Sequence, residues 1–178
     1  MRNILRSFDR DEGAEIAEAA VVLPLVFMFL LGIVWFGRAF NIYSTITQAA
    51  QRGAVTAARP ICATCGNTFP AAGTVETAVF SVMDASSIDK SQIITYIPAA
   101  PQCPTPPPPI PAPPSGCVTN PSSNITVCQF MQLNPGSAPA QCGMIVSFQY
   151  PFKFYLPFSS LNLQQVMLRA EAHSRMED

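Results

Sequence analysis

Ala19 to Phe36 reads AAVVLPLVFMFLLGIVWF, eighteen residues without a charge. As a helix, a run of that length is just long enough to cross a hydrocarbon core, so the pattern predicts one transmembrane span at about 19–36. A removable signal peptide would be shorter and followed by a small-x-small cleavage site. Here the sequence continues as GRAFNIYSTITQAAQRGAVTAA, with no such site, and the run reads as a retained anchor. Past the span, apolar or small residues recur at Ala39, Ile42, Tyr43, Ile46, Ala49, Ala50, Gly53, Ala54 and Ala57, the spacing of one helical face. Span and face together predict one helix from about Ala14 to Ala58, stopped near Pro60 because the residue before a proline is pushed out of the helical region. Pro24 lies inside it and predicts a kink. Small side chains on the later face let another helix or a sheet come close. Packing on the chain's own C-terminal part and contact with another subunit both satisfy that pattern.

The remainder alternates less clearly. Val75, Val79 and Val82 stand at helical spacing within Thr74 to Asp84 and predict a short helix. Ile93 to Ile97, Met144 to Tyr150 and Val166 to Ala172 predict strands, the last two alternating in polarity. Eleven of the 18 prolines lie between Pro98 and Pro121, which predicts a Pro-rich loop over 98–121 and excludes a helix or central strand there. Three strands against the later part of the long helix make a small α+β head with a short antiparallel sheet. The expected organisation is a leader at 1–13, a long helix at 14–58 and a head at 59–178.

Charge sharpens this picture. Charged residues are 12% of the chain, about half the share usual in soluble domains. Eight of the 21 fall in positions 1–18 and five in the last ten. The net charge of −1 leaves no basic surplus to hold a nucleic-acid backbone, so no nucleic-acid partner is expected. Arginines flank the span on both sides (Arg2, Arg6 and Arg10 before it, Arg38, Arg52 and Arg59 after it), and the positive-inside rule decides little. The six cysteines, Cys62, Cys65, Cys103, Cys117, Cys128 and Cys142, all follow the span. An even number in a short Pro-rich segment suggests disulfides formed in an oxidising compartment, which makes the N-terminus cytoplasmic and the head exported. Cys62 with Cys65 and one or two clips across the proline loop are the expected pairs.

Catalysis is not expected. Cys62-Ala63-Thr64-Cys65 follows the end of a long helix rather than a strand, a poor setting for a thioredoxin-like thiol pair. Zinc would want a second such motif or a His pair, and His173 is the one histidine, so no metal and no cofactor are expected. Glu76, Asp84 and Asp89 are too scattered for a general acid–base pair.

Arg2, Arg6 and Arg10, then Gly13, then Ala14-Glu15-Ile16-Ala17-Glu18, then the apolar run with Pro24, resemble the processing region of the type IV prepilin superfamily. Within it the segment is similar to the TadE-like minor pseudopilins of tight-adherence systems. Glu18, Ala20 and Pro24 match the Glu-x-Ala-x-x-x-Pro opening of the membrane helix, followed by Gly37-Arg38 and the small-residue stretch from Gln48 to Ala54. Ala19 stands where the family usually has an aromatic, and Glu15 adds a second carboxylate. The resemblance implies cleavage between Gly13 and Ala14 by prepilin peptidase, in a bacterial inner-membrane protein with an extracytoplasmic head. It also implies that Glu18 sets the register of neighbouring helices by pairing with the freed amine of Ala14 on another subunit. Implied partners are the peptidase, other pilin-like subunits, the pilus assembly machinery and the lipid bilayer. Without the resemblance, Glu15 and Glu18 read as acidic residues favouring the first turn of a helix. The chain is then an unprocessed single-pass envelope protein whose head binds another protein.

Overall fold

A computed structural model describes residues 5–59, 69–104, 116–153 and 165–176, with only the backbone for 5–14. Cys62 and Cys65 lie outside the described residues. The chain divides into two compact units, Met1–Phe40 and Asn41–Asp178. Helix α1 spans Leu5–Ala58. It ends where Pro60 predicts, starts ahead of the expected Ala14 and continues through Pro24.

The second unit is built on an antiparallel sheet of four strands in sequence order: β1 (Gly116–Thr119), β2 (Thr126–Gln132), β3 (Cys142–Phe152) and β4 (Val166–Arg175). With the helices, this is the α+β arrangement expected. One face of the sheet carries the main core. Met144, Val146, Phe148 and Tyr150 of β3 and Ala170 and Ala172 of β4 meet Ile46, Ala49, Ala50, Ala54 and Ala57 of α1. The same cluster takes Val75, Val79 and Met83 from helix α2 (Ala72–Ala85). Small residues on the α1 face serve close approach here: a Cβ at Gly53 would lie 2.6 Å from a methyl of Val79 and 3.3 Å from one of Val146.

Ile93–Ile97 does not form the strand expected of it. Ile94 alone makes a bridge, exchanging both backbone hydrogen bonds with Gln149 of β3 at 2.9 and 2.8 Å. The chain then passes over β2 on the face away from the helices. Ser147 Oγ donates to the Tyr96 carbonyl at 2.8 Å, and Ala100 packs on Cys128, Met131 and Ile145. Cys103 N donates to the Phe130 carbonyl, and Gln132 N to that of Pro101, each at 2.8 Å. This strap covers the second face at β2 and β3 and rejoins the sheet only at Gln102, which bridges Met131 on the edge of β2 past the end of β1.

The expected loop over 98–121 is also corrected, because its last part is β1. That strand lies at the sheet's edge, where a neighbouring proline-rich tract costs no ladder bonds. β1 and β2 form a hairpin in which Cys117, Val118 and Thr119 face Cys128, Val127 and Thr126. Its turn is closed by Asn120 N donating to the Ile125 carbonyl at 3.1 Å, with Asn124 in the left-handed region at φ 56°. Asparagine tolerates that region better than most side chains. Disulfides join Cys117 to Cys128 across the hairpin and Cys103 to Cys142 between strap and β3.

Candidate membrane anchor and processing segment

From Glu15 to Leu30 every residue of α1 is exposed, Val21 by 73% and Met28 by 76%. A helix of a water-soluble protein buries one stripe and shows water a polar face. This one is apolar on all sides from Ala19 to Phe36, so the solvent it suits is hydrocarbon, and it is a candidate membrane span. At the far end of the span the Arg38 guanidinium lies over the Trp35 ring, 5.8 Å from its centre. An amphipathic indole beside a cation is the pairing that favours a membrane–water boundary. Beyond Phe40 the helix changes character, and Thr45, Ile46, Ala49 and Ala50 are buried in the second unit. Thr45 and Thr47 direct their hydroxyls to the carbonyls of Asn41 and Tyr43, one turn back, at 3.0 and 2.8 Å, so neither needs an outside partner.

Gly13 and Ala14 lie within α1, and Glu15 and Glu18 are exposed on it. With α1 described from Leu5, neither glutamate is in its first described turn.

The other titratable residues are dispersed. Asp84 pairs with Lys90 at 2.9 Å, Glu76 accepts from the Asn120 amide, and His173 contacts Glu171 at 3.0 Å. Asp89 starts the 3-10 turn Lys90–Gln92, accepting from Ser91 Oγ at 2.7 Å, Gln92 Nε2 at 3.0 Å and Ser91 N at 3.0 Å. These hydrogen bonds, first that from the Ser91 side chain, hold its carboxyl below the usual range. Among the described residues no three His, Cys, Asp or Glu side chains gather as metal ligands would.

A helix with an apolar stretch long enough to cross a membrane, followed by a disulfide-bonded α+β unit, is the arrangement of a candidate membrane-anchored protein. Residues 13–55 match the family model described as TadE-like protein, so this segment is similar to that family. The match opens on Gly13 and covers the anchor and most of the small-residue face, leaving the sheet outside it. No curated protein and no solved structure matches the chain.

If α1 is anchored through its apolar length, the full chain is expected to stay with membranes in alkaline carbonate. A chain lacking residues 19–36 is expected in the supernatant. Release of the full chain by carbonate would contradict the anchor.

Proposed function

We propose that this chain is a pilin-like protein acting in assembly of a tight-adherence pilus or secretion apparatus, after prepilin peptidase cuts between Gly13 and Ala14. The TadE-like match from Gly13 to Val55 carries the reading. Glycine at the cut lets the backbone enter a narrow protease site, where a side chain would obstruct it. Cleavage leaves Ala14 with a charged amine and puts Glu18 just over one turn from the start of the shortened helix. A carboxylate at the edge of the hydrocarbon is costly without a cation. The Ala14 amine of a neighbouring subunit supplies one and fixes the axial register of two helices. The disulfides Cys103–Cys142 and Cys117–Cys128 support an extracytoplasmic second unit and a cytoplasmic leader.

Cells that lack this chain are expected to lose surface pili. The wild-type chain restores them, and Gly13→Leu, which blocks the cut, does not. Normal piliation without the chain would contradict the reading.

A further inference from the structure

We infer that the free edge of β4 is a docking surface for a second copy of this chain, the two β4 strands pairing antiparallel about Ala170. The sheet has two edge strands. β1 is four residues long and joined to its neighbour by a disulfide. β4 is ten residues long, contains no proline, pairs with β3 without a register shift from Val166 to Arg175, and has no strand on its other side among the described residues. A long regular edge with unpaired backbone groups is a template for another strand unless charge or irregularity blocks it.

The charges on β4 select one occupant. Ala170 and Ala172 point into the core, so Met167, Arg169, Glu171, His173 and Arg175 share the opposite face. A two-fold axis perpendicular to the joint sheet at Ala170 sets Arg169 opposite the second copy's Glu171, and by symmetry Glu171 opposite its Arg169. The half-exposed Met167 then faces His173 of the other copy. Directly opposed side chains on one face interact, favourably for opposite charges and unfavourably for like ones. An axis at Arg169 would oppose two arginines, one at Glu171 two glutamates, and one at Ala172 would set Arg169 against Arg175. An axis at His173 opposes Glu171 to Arg175 but leaves Val166 to Ala170 without a partner on the other β4. Only the Ala170 axis matches charges along most of the strand. Arg169 rests over the Tyr96 ring at 5.1 Å and Glu171 touches His173, both exposed contacts that a rotamer change exchanges for the cross-copy pair.

The test is sedimentation of the full chain in detergent micelles across protein concentration. Wild type is expected to dimerise. Arg169→Glu puts glutamate against glutamate, Glu171→Arg puts arginine against arginine, and each alone is expected to weaken dimerisation roughly tenfold or more. Mixing the two variants opposes every reversed charge to its opposite, so a heterodimer near wild-type affinity is expected. The mixture also separates this contact from association through the apolar helix, which would not respond to these charges. A monomeric wild type, dimers indifferent to both variants, or a mixture no tighter than either variant alone would each overturn the proposal. Both substitutions are on the solvent side of β4. Retained far-ultraviolet circular dichroism and disulfides in each variant confirm folding.

Discussion

Serine in place of Cys142 is expected to lower the stability of the second unit by about 4 kcal/mol, from the constraint a loop of that length places on the unfolded chain. The bond it breaks joins residues 39 apart, Cys103 and Cys142. Cys103 ends the strap across β2 and Cys142 begins β3, so the bond fastens the cover of the sheet's second face to its longest strand. The Cys117–Cys128 bond closes a separation of only 11 and joins strands that already pair in register. Its loss is expected to cost less, about 3 kcal/mol on the same loop-length argument. Denaturant unfolding of both variants, followed by far-ultraviolet circular dichroism at fixed detergent, checks the order. A Cys117→Ser variant less stable than Cys142→Ser would contradict the assignment of the larger constraint to the strap.

Leucine in place of Gly53 is expected to destabilise the same unit by about 3 kcal/mol, the upper end for overpacking a filled core. Its first side-chain carbon would already overlap a methyl of Val79, with Val146 and Val75 at 3.3 and 3.6 Å. All three valines are buried, and a β-branched side chain in a helix such as Val79 has essentially one rotamer, so it cannot turn aside. Alanine at this site tests the geometry more finely. It gains about 1 kcal/mol in helix propensity over glycine. Against the overlap with Val79, the net effect is expected to be destabilising. An alanine variant more stable than wild type in thermal unfolding would mean that α1 and α2 separate easily. The TadE-like match includes Gly53, so the close packing belongs to the matched segment as well as to the fold.

Much of this architecture is legible in the residues. The apolar run and the small-residue face gave α1 its end at Ala58, and the valine spacing placed α2, although Met83 rather than Val82 completes its buried stripe. β4 alternates in burial because one of its faces meets the helices, whereas β3 is buried on both faces, the second lying under the strap. The hairpin was harder. Composition up to Pro121 reads as loop, yet Cys117-Val118-Thr119 and Thr126-Val127-Cys128 are mirror images around a polar turn. The register pairs each residue with its twin, and that symmetry was the available signal. Further along β2 the ladder shifts between Cys128 and Met131, and Phe130 takes φ 56°, so no simple alternation survives. Ile93–Ile97 has the β-branched content of a strand but carries the chain from beside β3 across β2, a path set by tertiary contacts that local pattern does not encode.

For the proposed processing segment, residue type said more than geometry. Gly13 and Glu18 stand out through their spacing and the family likeness. Within α1 they are ordinary helical positions, and what changes their chemistry is a new N-terminus. The β4 charges are the reverse case: Arg169 and Glu171 look like routine surface residues until the sheet order leaves their strand at an edge.

If the chain is cut after Gly13 and works as a pilin-like subunit, intact mass of the protein purified from its native membranes reads the cut directly. A chain beginning at Ala14, with the downstream disulfides retained, is expected. A chain still beginning at Met1 or Arg2 would contradict it and leave an uncleaved, helix-anchored protein whose α+β unit binds a partner.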